Sequence, residues 1–181
     1  QHKTITVMRG ESLDRVIRRA AAELPPPLDQ LVEVRNQAFF AKGEEERLLN
    51  RLLHERGVER ICLDPRALFS CTSRDPAVLH AQSKKPRVPP RPAAFSQHPQ
   101  VRFIGHPELE ANHTFLSPWV EKVAAWIEEG RNPYIFLHTS DNRLAAALAQ
   151  RFHQRLMARL PGLAPLPELP RAPEVEQLGL L

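Results

Sequence analysis

Residues 31–64 read LVEVRNQAFFAKGEEERLLNRLLHERGVERICLD, and the change of hydrophobic period inside this stretch decides the fold. At 31–35 apolar and charged residues alternate, Val32 and Val34 against Glu33 and Arg35, so a strand here puts the valines on one face and the charges on the other. After Gly43 the period lengthens, and Leu48, Leu49, Leu52 and Leu53 form one stripe at helical spacing. Gly57 follows where a helix C-cap is wanted. Residues 58–64 return to a strand-like run that ends at Asp64. Strand, helix and strand joined by short turns call for parallel pairing with helices outside the sheet.

The same alternation continues downstream. A strand is expected at 101–105, then a helix over 114–129 with Phe115, Trp119, Val123 and Trp126 or Ile127 on its buried side. A further strand is expected at 134–139, and Ser140 or Asp141 is placed to cap a helix carrying Leu144, Leu148, Phe152 and Leu156. Upstream, 4–8 reads as a strand and 12–23 as a helix capped by Ser12, with Leu13, Val16, Ile17 and Ala20 on one face. Pro25, Pro26 and Pro27 stop it. Prolines punctuate an extended tail over 161–181. The expected unit is one domain spanning 1–181.

Between the strands ending at Asp64 and beginning at Val101 lies a basic, proline-rich loop at 65–100. It carries Arg66, Arg74, Lys84, Lys85, Arg87 and Arg91 against Asp75 alone, in a chain whose net charge is +4. Seven of the eighteen prolines fall here, so neither a long helix nor a central strand can run through it. One short helix over 76–82 is the expected exception. Elsewhere the composition is ordinary, 42% hydrophobic and 25% charged, without an apolar run long enough to cross a membrane. Cys62 and Cys71 make neither a disulfide framework nor a zinc-type pair. With no secretory leader visible, a cytoplasmic setting is expected; Cys62 reads as a small buried hydrophobe.

In parallel α/β folds chemistry gathers at the carboxyl ends of strands. That rule selects Glu33, Arg35, Asp64, Arg102, His106 and His138, with Thr139, Asp141 and Asn142 following. Glu33 with Arg35, and Arg102 with Asp64, form ion pairs that fill a buried layer on one reading. On the other, the arginines grip an anion, because the guanidinium fork suits phosphate or carboxylate. Glu33, Asp64, His106 and His138 are the candidate metal ligands, but no tight ligand spacing links them. Asn112-His113-Thr114 matches a glycosylation sequon and is best read as a helix cap. The tryptophans share a helical stripe and read as core.

The runs VEVRNQAFFAKGEEERLLNRLLHERGVERICLD, KKPRVP, VRFIG and NPYIFLHTSDN resemble the bacterial YecE-like family, a domain of unknown function. The resemblance covers residues 24 to 170 or so. It implies an irregular (β/α) barrel of the TIM type, an α/β fold whose amino-terminal third is missing from this chain. Glu33, Arg35, Asp64 and Arg102 match the family pattern. Asn36 stands where many members have histidine, Gly105 follows Arg102-Phe103-Ile104 without the usual histidine, and His138 and Thr139 replace paired asparagines. A histidine-based mechanism therefore does not carry over.

Two functions remain. One is an enzyme acting on a phosphorylated or otherwise anionic substrate, with Arg35, Arg102, His138, Lys84, Lys85 and Arg87 binding and Glu33 or Asp64 as general base. The other is a nucleic-acid-binding protein or phosphodiester hydrolase that uses the basic loop; the modest net charge and few aromatics weigh against it. No motif specifies a cofactor, a metal or an oligomeric state.

Overall fold

A computed structural model describes residues 31–167 together with Arg15. The strand expected at 4–8, the helix at 12–23 and the tail beyond 167 lie outside the described residues. In chain order come β1 (Leu31–Val32), a 3₁₀ turn (Gln37–Phe40), α1 (Glu44–Glu55), β2 (Glu59–Arg60), β3 (Cys62–Asp64), α2 (Arg66–Ser70), α3 (Pro76–Lys84), β4 (Gln100–Ile104), α4 (His113–Glu128), β5 (Tyr134–His138) and α5 (Ala145–Arg159). The fold is α/β, and every described strand pairing is parallel: β1 with β2, and β3–β4–β5 as a three-stranded sheet. The described strands form these two sheets and not a closed barrel.

The strand expected at 31–35 pairs only through Val32, and residues 33–36 continue without regular structure. The run at 58–64 divides at Ile61, whose amide donates to the Val32 carbonyl at 3.0 Å. One strand-like run thus feeds two sheets. Val32 and Val34 pack with Leu49, Leu52, Leu53 and Val58, as the alternation requires, but Leu48 is left 41% exposed. Three acids open α1, where the helix dipole favours them. Gly57 closes it with φ +61°, a backbone state that costs glycine little.

Alternation along the larger sheet creates two unlike faces. Cys62, Val101 and Phe103 join Trp119, Val123 and Trp126 of α4 and Leu148, Phe152 and Leu156 of α5 in the main core. Both tryptophans are at most 3% exposed, and Cys62 is buried, its thiol pushed up to about 12 by that burial. On the other face, Leu63 and Ile104 pack with Leu68, Val78, Ala81 and Val88 from the loop that follows β3. That basic loop is therefore more ordered than its prolines suggest. It holds α2 as well as α3, and Asp75 caps α3 by accepting from Ala77 N at 2.7 Å, with Pro76 in the first turn.

Two caps differ from expectation. Asn112 makes no side-chain cap on α4; it turns back to serve the preceding loop. Asp141 closes a turn by accepting from Arg143 N at 3.1 Å, and α5 begins later, at Ala145.

A charged cluster at the carboxyl ends of the strands

Beyond β1, Glu33 projects away from the valine face. Its Oε2 accepts from Arg102 Nη1 at 2.8 Å, and its Oε1 from Arg35 Nε at 2.9 Å. Glu33 is only 15% exposed, Arg102 28% and Arg35 52%. A single carboxylate therefore bridges a half-exposed arginine at the surface and a half-sheltered one on β4. Arg102 was expected beside Asp64, but β3 and β4 pair with Asp64 opposite Phe103 and Arg102 opposite Leu63. One step of register reverses the face, so Arg102 and Asp64 point to opposite sides of the sheet.

Asp64 is fully buried on the helix side. It accepts from Trp119 Nε1 at 2.7 Å and from Arg66 through Nε, Nη2 and the backbone amide at 2.8–3.1 Å. His106 is also taken up locally: its Nδ1 accepts from Glu108 N at 3.0 Å. Among the described residues no group of three or more His, Cys, Asp or Glu side chains is placed to hold a metal ion, the four candidate ligands Glu33, Asp64, His106 and His138 included.

Two further groups meet Glu33 and Arg102. His138 ends β5, opposite Ile104 of β4, and so lies on Arg102's face of the sheet. Burial and then the Arg102 and Lys85 charges hold its imidazole below the usual value, outweighing its hydrogen bond with Asn142. Asn142 has φ +62°; the strand-end rule selects it without assigning it a role. Lys85 follows α3 directly. Val88 and Ala81 flank it in sequence, and both pack against Leu63 and Ile104, so this stretch of the loop lies over the Arg102 face. Burial, then the Arg102 and Arg35 charges, lower the Lys85 ammonium, with Glu33 acting against them. Burial raises the Glu33 carboxyl, but the hydrogen bonds and charges of Arg102 and Arg35 overcome it and leave it below the usual carboxylate range.

The other loop cations are disposed differently. Lys84 and Arg87 are exposed, with Arg87 over the Phe69 ring at 5.5 Å. Arg91 pairs with Glu46 at 2.7 Å and also donates to the Phe40 carbonyl. Glu46 in turn meets the buried Arg60, which donates to Asn50 Oδ1 at 2.7 Å and lies over the Phe40 ring. This clasp fixes the loop to α1 and went unread, because its members come from four separate segments. A surface depression of about 440 Å³ lies along α1, lined by Glu44, Glu45, Arg47, Leu48 and Arg51; these fan outward from one helix and do not converge.

The turn after β4 is built for close approach. A Cβ on Gly105 would meet Asn112 Oδ1 at 2.7 Å, Leu148 at 3.0 Å and the His138 carbonyl at 3.1 Å. Asn112 is fully buried, accepting from His106 N and donating to the His106, Glu108 and Leu109 carbonyls.

Parallel strands backed by helices, with charges clustered where β4 and β5 end, define a protein of the α/β class. Within it, the family described as "Protein of unknown function DUF72" matches residues 7–174. The chain belongs to that family. It is 39% identical over 148 residues to the "UPF0759 protein YecE" of Escherichia coli (strain K12), and 38% identical to the protein of that name from Escherichia coli O157:H7. Each match covers 82% of this chain and 54% of the relative, so the chain spans about half the length of the curated relatives it matches. No solved structure gives a significant match. Among the described residues no helix is long and apolar enough to cross a membrane.

Proposed function

We propose that the chain binds an anionic small molecule, a phosphate, a phosphate ester or a carboxylate, at the cluster around Glu33 and acts on it as an enzyme. The observation that carries this reading is two arginines, Arg35 and Arg102, held on one carboxylate at a strand-end surface, with Lys85 in the stretch of loop that packs over the same face. An incoming anion takes over the arginine donors that Glu33 now holds, and two guanidinium forks with an ammonium match its oxygens. Glu33, once displaced, and His138, neutral at pH 7, are then the available proton acceptors. Asp64 is committed to Arg66 and Trp119 and is left out of the catalytic set. The wider reading is of a single TIM-type barrel domain with this cluster at its mouth, working in the cytoplasm; the two free, buried thiols suit a reducing compartment.

The nucleic-acid reading draws less support. Arg66 and Arg91 are spent on internal pairs, which leaves Arg74, Lys84 and Arg87 as the exposed cations of the loop. The test is calorimetric titration with orthophosphate and a sugar phosphate. Arg102→Met should weaken binding by about tenfold or more, as expected for losing a charge-assisted hydrogen bond. Wild-type protein that takes up neither probe would end the proposal.

A further inference from the structure

The sheet face that carries Arg102 is covered unevenly. β3 and β4 present Leu63 and Ile104 there, and the loop after β3 packs on them through Leu68, Val78, Ala81 and Val88. β5, the last strand of the three-stranded sheet, is left open on this side. Its alternate residues Tyr134 and Phe136 are 51% and 49% exposed, while Ile135 and Leu137 between and beyond them pack on the main core. The register sets Phe136 directly opposite Arg102 and Tyr134 opposite the buried Gln100. An open ring and the Glu33-bound guanidinium therefore share one face, on strands about 5 Å apart. His98 meets the Tyr134 ring with centroids 5.9 Å apart and closes that end of the strip. Leu48, Leu79 and Leu166, the other large apolar side chains left exposed, are scattered over separate segments, so this pair of rings is the contiguous case, and contiguous exposed apolar surface marks a binding face.

We propose that this strip is the ring subsite of the anion site, and that the ligand is a purine nucleoside monophosphate, its phosphate held by Arg102 and Arg35 and its base stacked on Phe136 towards Tyr134. This rests on the anion-binding reading above and deepens it by naming the substrate class. Aromatic faces take any flat base by stacking, and the guanidinium across the strand supplies the charge that a phosphate a few atoms from the base requires. Two open rings at alternate positions extend about 7 Å along the strand. That is more than one six-membered ring fills, and it favours the two-ring purine over a phenyl or pyrimidine group. A single nucleotide suits the charge better than a nucleic-acid strand does. Arg66 and Arg91, two of the loop cations that would track a longer backbone, are engaged in internal pairs.

The experiment is calorimetric titration of the chain with adenosine 5′-monophosphate, ribose 5-phosphate, phenyl phosphate and adenosine. The nucleotide should bind about tenfold or more tightly than ribose 5-phosphate, the worth of one stacked base, with phenyl phosphate between them and adenosine weaker than the nucleotide. Phe136→Ala should remove the nucleotide's advantage and leave ribose 5-phosphate unchanged, whereas Phe136→Trp should keep it. Arg102→Met should weaken both phosphates alike. The wild-type comparison decides the matter even if Phe136→Ala fails to fold. Equal binding of the nucleotide and ribose 5-phosphate, phenyl phosphate as tight as the nucleotide, or an advantage that survives Phe136→Ala overturns the proposal. If orthophosphate still binds in that case, the anion-binding reading survives alone; if no anion binds, both fall. Two other occupants of the strip would also overturn it. A short adenine oligonucleotide that binds far more tightly than the mononucleotide would assign the rings to single-stranded nucleic acid. A chain that sediments as a dimer until Phe136→Ala separates it would place a second copy on this face.

Discussion

Glu33 holds two arginines at once, and that double engagement sets what its removal does. Arg35 is half in solvent and Arg102 more than a quarter exposed, so neither becomes a fully buried orphan charge. Glu33→Gln should therefore cost roughly 1–2 kcal/mol, not the 3–5 typical of breaking a fully buried pair, and orthophosphate binding should tighten as the internal competitor goes; urea unfolding and calorimetry read the two. Protonation reports on the same contacts. The Glu33 carboxyl is lowered from 4.5 in the folded state, so its contribution is complete above 4.5 and is lost as pH falls through the folded value. The His138 imidazole is lowered from 6.5, so the unfolded chain takes up a proton there before the folded one does, and stability declines from pH 6.5 downward. Both signs agree: acid weakens the fold. A proton-resonance titration of His138 that lands at or above 6.5 would contradict this account. The Glu33–Arg35 contact was legible from alternation alone. Its third member was not, because Arg102 is distant in the chain and its face depends on a register that only the paired strands define.

At the scale of elements, the turn after β4 is the most constrained join. Gly105 lies against the Asn112 side chain, Leu148 and the His138 carbonyl, so Gly105→Ala must push β4, β5 and α5 apart. The expected loss is about 1–3 kcal/mol, seen as a lower urea midpoint. Asn112→Ala leaves part-buried backbone groups at 106–109 without their buried partner and should cost about as much. If either variant melts with the wild type, the turn is looser than its contacts indicate. The helices were readable because leucine and tryptophan stripes persist over several turns. α2 was not, being a single short helix inside a proline-rich stretch, and the break at Ile61 carries no turn residue to announce it. Asn112 was misjudged for a related reason: a residue that looks like a cap can satisfy the preceding turn instead, and sequence does not say which way it bends.

For the whole molecule, the basic loop divides its cations between structure and ligand. Neutralising Lys84, Lys85 and Arg87 together should remove orthophosphate affinity while changing the binding of single- or double-stranded nucleic acid little; a marked fall in nucleic-acid affinity with a shallower salt dependence would instead favour contacts to backbone phosphates. The charge of this segment was legible, but its division was not, since Arg66 and Arg91 find their partners only in the folded chain. The segment also governs how the molecule comes together. β3 and β4 are parallel neighbours, and their ladder cannot close until everything from Pro65 to Pro99 has been brought around, an entropic cost met before the pairing repays it. Glu59 stands at the far end of that path, fully buried, accepting from the Phe95 and Ser96 amides and from the Ser96 hydroxyl at 2.7–3.2 Å. If this grip forms early, Glu59→Gln should slow refolding in stopped-flow experiments and leave the unfolding rate nearly unchanged. On the ribosome, β3 then waits, finished but unpaired, until synthesis has passed Ser96 and the next strand arrives.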